Sequence, residues 1–185
     1  MAIYQVRPTI EKFKVFFFID DDENLDLEFD GYFDFKGETL KDNWHGARVF
    51  AKESFKEDEG KLPMPDIIRF NTSALAYSER AVDVLKYALE ESGELLEFEY
   101  EGKKWWVHHV TNIVNAIDFE KSKLELESSG EFEVACTELD EKQLSNVCIF
   151  KQKNISSLMG HDNAKMNFKE LVESSKLSGV DFEYI

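Results

Sequence analysis

The longest unbroken apolar run in the chain, Val15-Phe16-Phe17-Phe18-Ile19, has the length of a single β-strand. A membrane-crossing helix needs about 20 apolar residues, so this run cannot supply one. The core must instead be assembled from many short pieces, each burying one face. The material is there: of 185 residues, 43% are hydrophobic and 14% aromatic, too much for a disordered chain even with 32% charged. A chain of this size can bury about 70% of its unfolded surface in one core. One domain over 1–185 is therefore expected, with room for an N-terminal β-rich lobe over 1–62 and a C-terminal α+β lobe over 63–185.

Local patterns divide those pieces between strands and helices. Ile3 to Val6 and Val15 to Ile19 favour strands, and Leu25-Asp26-Leu27-Glu28-Phe29 alternates apolar with acidic residues, as Tyr32 to Phe35 does less strictly. Charged residues from Lys52 to Lys61, followed by Leu62-Pro63-Met64-Pro65-Asp66, read as a loop. Ser78 is placed to cap a helix whose apolar face is Ala81, Leu85, Ala88 and Leu89, with Gly93 ending it. Leu95–Tyr100 and Trp105–Val110 flank a glycine-containing turn and read as a hairpin. A second hairpin is expected around Ser128-Ser129-Gly130, and a further strand at Val147–Phe150. Asn167 and Glu170 have capping-box spacing, with Met166 and Leu171 placed as a hydrophobic staple. Val180, Phe182 and Tyr184 then alternate as a last strand. Strands and helices segregate, which predicts an α+β fold: a mixed, mainly antiparallel sheet with a few helices packed against it.

Charge sets the expected partners. With 38 acidic and 22 basic side chains the net charge is −16. Such a surface repels phosphate backbones and anionic headgroups, so neither direct nucleic-acid nor membrane binding is expected, and a basic partner is favoured. The start, Met1 to Pro8, lacks a basic region leading into an apolar block, which gives the cytoplasm as the expected location. Cys136 and Cys148 are too few for a disulfide framework.

Catalytic and cofactor motifs are missing. No two glycines lie closer than Gly31 and Gly37, so no dinucleotide fingerprint or phosphate-cradling glycine loop can be written. The cysteines form no C-x-x-C pair, and His45, His108, His109 and His161 include no H-E-x-x-H, so neither metal nor cofactor is expected. Adjacent on a strand, His108 and His109 should face opposite ways. Asp20, Asp22 and Asn24 match the first ligand positions of a calcium loop, but Leu25 and Gly31 stand where that loop needs glycine and glutamate. Asp20-Asp21-Asp22-Glu23 is then a solvated acidic patch, or a docking patch for a basic partner. One of Trp105 and Trp106 should pack inward; the other, with Trp106 the candidate, is left either to an interface or to plain surface packing.

Three blocks of the chain together resemble a known family. They are Tyr77-Ser78-Glu79-Arg80-Ala81-Val82-Asp83-Val84-Leu85, Gly93-Glu94-Leu95-Leu96-Glu97, and Val110-Thr111-Asn112-Ile113-Val114-Asn115-Ala116-Ile117-Asp118. This set resembles the spine of the bacterial polymorphic-toxin immunity proteins of family eleven. Tyr4 with Arg7-Pro8, Ile149-Phe150, Phe168-Lys169-Glu170-Leu171-Val172, and Leu177-Ser178-Gly179-Val180-Asp181-Phe182 extend the likeness to both ends. The resemblance implies a non-catalytic protein that neutralises a cognate toxin by occlusion. Read this way, Asp20, Asp21, Asp22, Glu23 and Trp106 are the expected partner-binding residues. Two other readings stand beside it: an acidic mimic of nucleic acid, which needs carboxylates along a ridge, and a hydrolase with an unrecognised carboxylate pair, which needs a pocket.

Overall fold

A computed structural model describes residues 2–19, 37–55, 60–115, 123–126, 132–136, 140, 144, 147–153 and 157–185. The strands expected at Leu25–Phe29 and Tyr32–Phe35 lie outside these residues, as do Asp20, Asp21, Asp22 and Glu23. The described chain is α+β, with strands β1 (Ile3–Pro8), β2 (Val15–Phe18), β3 (Val49–Lys52), β4 (Ile67–Arg69) and β5 (Leu75–Ser78), helix α1 (Glu79–Ser92), and the hairpin β6 (Gly93–Tyr100) and β7 (Lys103–Val110). Next come β8 (Ile113–Val114), β9 (Lys123–Leu126), β10 (Phe132–Cys136), β11 (Ile149–Gln152), β12 (Leu158–His161), helix α2 (Phe168–Ser174) and β13 (Val180–Tyr184).

The strands form a five-stranded sheet ordered β13-β1-β12-β11-β8, a four-stranded sheet ordered β4-β5-β7-β6, and the pairs β2-β3 and β9-β10. Pairing is antiparallel except between β11 and β8. Alternation along the four-stranded sheet gives it two buried faces. Ile67, Leu75, Tyr77 and Val110 face α1 and the five-stranded sheet, joining Tyr4, Leu85, Leu89, Ile149 and Phe168 in one core. Ile68, Ala76, Leu96, Phe98, Trp105 and Val107 face the other way and pack with Phe16 and Val49 of the β2-β3 ribbon. Both cores draw on residues from either side of the 62/63 boundary. β1 pairs with β12 and β13, and among the described residues of 1–62 neither core closes without residues beyond 62.

Local chemistry explains the element ends. Ser78 Oγ accepts from the Ala81 N–H at 3.3 Å, capping α1, and Ala81, Leu85, Ala88 and Leu89 are all buried. Gly93 follows the helix, but not in the left-handed conformation a glycine stop usually takes: its φ is 173°, and it opens β6 in extended form. Glycine is needed there for space, because a Cβ would lie 2.1 Å from the His109 carbonyl oxygen. The β6-β7 turn is only Glu101-Gly102, with φ of 49° and 70°, the positive pair that matches strand twist in a tight hairpin.

Helix α2 has two caps from different parts of the chain. Asn167 Oδ1 accepts from the Glu170 N–H at 3.2 Å, as its spacing predicts. The buried Tyr4 hydroxyl, from the opposite end of the sequence, accepts from the Lys169 N–H at 3.1 Å and donates to Asn167 Oδ1 at 3.4 Å. Its ring lies on Gly160, where a Cβ would come within 2.7 Å. Replacing Tyr4→Phe keeps the ring and strips a helix N–H of its acceptor, so we expect a loss of about 1–2 kcal/mol in urea unfolding. An unchanged midpoint would show that this hydroxyl caps nothing of consequence.

Candidate functional site

The β2-β3 ribbon presents the most distinctive exposed surface. Register pairs Phe16 with Ala51, Phe17 with Phe50 and Phe18 with Val49. Strand alternation sends Phe16 and Val49 into the core and leaves Phe17 and Phe50 outside, 39% and 43% exposed. The two outer rings stack, with centroids 5.6 Å apart and planes 22° off parallel. Phe55, just beyond β3, is 44% exposed. Large apolar side chains grouped on a surface mark contact sites more often than isolated ones do. After Ile19 the same strand leads in sequence directly into Asp20-Asp21-Asp22-Glu23.

Trp106 is placed elsewhere. The tryptophan pair splits across the four-stranded sheet: Trp105 is buried against Phe16 at 5.3 Å, edge to face. Trp106 is half-buried and packs on the α1-side core. It is therefore not beside Phe17 and Phe50, which sit on the ribbon covering the opposite face. Sequence alternation predicted the split between the two rings, but not that both faces of this sheet would be covered. The exposed ribbon pair was missed for the same reason: the five apolar residues at 15–19 give no sign of which alternate set points outward.

Burial shifts several titratable groups inside the fold toward their uncharged forms. His108 and His109 point to opposite faces, as strand geometry requires. His108 Nε2 lies 3.0 Å from the Leu89 carbonyl oxygen and 3.3 Å from Ser92 Oγ. A carbonyl can only accept, so Nε2 carries the proton and Nδ1 is a bare lone pair. Burial pulls the His108 pKa down to about 3. His109, whose Nε2 is bonded to the Glu38 carbonyl, is lowered as well, again chiefly by burial. Lys151, 3% exposed on β11, is lowered by burial to about 8. Burial likewise raises the Tyr77 phenol.

Two inward-turned carboxylates serve the backbone. Asp66 Oδ2 accepts from Arg80 Nη1 at 2.8 Å and from the Ser178 N–H and Oγ–H at 2.9 Å each. Glu53 Oε1 accepts from the Gly60 N–H at 3.1 Å, and backbone donors, its own first, hold its carboxyl below the usual range. Among the described residues no group of three His, Cys, Asp or Glu side chains could hold a metal ion. No helix among them is long and apolar enough to cross a membrane.

No protein-family model matches this chain, and a search of curated proteins finds no match. The likeness to the immunity family therefore rests on the residue blocks quoted above.

Proposed function

We propose that the chain is a non-catalytic binding protein of the immunity type, which neutralises a basic bacterial toxin by covering it in the cytoplasm of the producing cell. The observation that carries this reading is the outward-facing Phe17–Phe50 stack on a ribbon that runs in sequence into four consecutive acids, in a chain of net charge −16. Desolvated aromatic rings provide most of the binding energy in protein interfaces, and charges around them steer encounter. Here long-range attraction by the acids would bring a basic surface in quickly, and the two rings, once covered, would hold it. This revises the expected contact set: Asp20, Asp21, Asp22 and Glu23 stay, while Phe17 and Phe50 take the anchoring role first given to Trp106.

Co-expression with the toxin domain encoded beside this chain, scored by growth and by co-purification, tests the proposal. Growth should be restored and a complex recovered. Its association rate should fall about tenfold or more from low to high salt, because screening removes the steering. Phe17→Ala with Phe50→Ala should speed dissociation roughly thirtyfold while the inner Phe16 and Val49 keep the ribbon seated. Absence of any complex, or a complex indifferent to both salt and the double substitution, would overturn the reading.

A further inference from the structure

Away from the aromatic ribbon, a cleft of about 390 Å³ opens between the two larger sheets. One wall is β1, from Gln5 to Pro8, with Ser157 and Leu158; the other is the α1-side face of β4, β5 and β7 with the turn at 71–74. Its volume lies in the range that holds small metabolites, about 300–1,000 Å³.

Its lining combines features that packing alone does not require. Tyr77 and His108 are 0% and 2% exposed, yet Tyr77 Oη and His108 Nδ1 have no hydrogen-bond partner in the protein. Buried polar atoms are almost always paired, so two orphans beside one cleft call for an explanation. Their rings meet edge to face with centroids 6.0 Å apart. The chemistry of the pair is defined: Nδ1 can only accept, because Nε2 holds the proton for Leu89, while the phenol can donate and accept.

A cation stands in the same cross-strand row. Arg69 pairs with Leu75, and Leu75 pairs with His108. The Arg69 and His108 backbones are thus two strand spacings apart, roughly 10 Å. Arg69 makes no ion pair among the described residues, although the chain has a large excess of acids. The second arginine of the lining, Arg7, is already engaged by Glu183 at 2.5 Å.

The geometry points to a binding site for a small organic anion: a carboxylate held by Arg69 at one end, and a hydroxyl at the other that donates to His108 Nδ1 and accepts from Tyr77. The site stands apart from the proposed toxin surface and would bind its ligand whether or not that reading holds.

A phenolic acid carries both groups on a rigid ring, so 4-hydroxybenzoate is the probe, with benzoate lacking the hydroxyl and 4-hydroxybenzyl alcohol lacking the charge. In the intact protein, millimolar 4-hydroxybenzoate should raise the melting temperature saturably and shift the His108 ring resonances, with both controls weaker. Arg69→Gln should weaken binding roughly ten- to a hundredfold, the range expected for loss of a charge-assisted contact. Tyr77→Phe should weaken it too while leaving the free protein at least as stable, since the deleted hydroxyl bonds to nothing in the fold. No saturable shift with 4-hydroxybenzoate would leave the orphan atoms to water and overturn the assignment. So would equal binding by the neutral alcohol, or unchanged affinity in a folded Arg69→Gln protein.

Discussion

Gly179→Ala should destabilise the protein by about 2–6 kcal/mol and lower its melting temperature by on the order of 10 °C, without changing residues in either candidate site. Gly179 has a φ of +110°, and a Cβ built on it would lie 1.8 Å from the Ile67 carbonyl oxygen and 2.7 Å from Pro65 Cβ. The first of these contacts is with backbone, so no side-chain rotation relieves it. Strain from the dihedral accounts for about 1–3 kcal/mol and overpacking for a similar amount.

The position is critical because three segments meet there. The Gly179 carbonyl accepts from the Thr9 N–H at 3.0 Å, and the Ser178 carbonyl from the Ile67 N–H at 2.9 Å. Asp66 binds Ser178 and Arg80 from below, and Arg80 Nη2 reaches the Ser175 carbonyl at 2.9 Å. Shifting Gly179 therefore strains the entry to β4, the start of α1 and the entry to β13 together. Gly102→Ala is the control. Its φ is +70° with nothing within 4 Å of the added Cβ, so only the dihedral matters, at about 1–2 kcal/mol. Equal losses for the two substitutions in urea unfolding would refute the close-approach argument.

Acid should weaken the fold well before its surface carboxylates protonate. His108 is kept neutral in the folded state, with a pKa of about 3 against the ordinary 6.5. Above pH 6.5 neither state holds the proton. Below it the unfolded chain takes up a proton that the folded one refuses, so unfolding becomes easier. The loss continues until pH approaches the folded value. Between pH 7 and pH 5 one such residue removes about 2 kcal/mol, and on the order of 4 kcal/mol by pH 3. His109 is shifted in the same direction by the same cause and adds to the slope. Urea unfolding at a series of pH values should show this decline. The His108 ring, followed by NMR in the folded protein, should not titrate down to pH 4. Titration near 6.5, or a stability flat from pH 7 to 5, would contradict the burial argument.

The elements that could be read from sequence are those set by contacts a few residues apart. The Ser78 and Asn167 caps bond to N–H groups three positions on, and the apolar face of α1 follows from helical spacing alone. The β6-β7 hairpin needed only two apolar runs and a tight turn. Short pieces escaped. Ile67–Arg69 is too brief to carry a period, and nothing near Leu158–His161 shows that a distant tyrosine will seat on Gly160. The small-molecule cleft escaped too, because Arg69, Tyr77 and His108 come together only through strand register.

The amino-acid sequence by itself determined that the chain is an acidic α+β protein built from brief strands, two capped helices and a tight hairpin, since periodicity, capping and turn chemistry act locally. The tertiary structure alone decided that the four-stranded sheet is covered on both faces, that Phe17 and Phe50 rather than Trp106 stand outward, and that two polar atoms end unpaired beside an arginine. Strand alternation defines two faces without saying which will meet another layer. That choice depends on pairings between residues far apart in the chain, which no local pattern encodes.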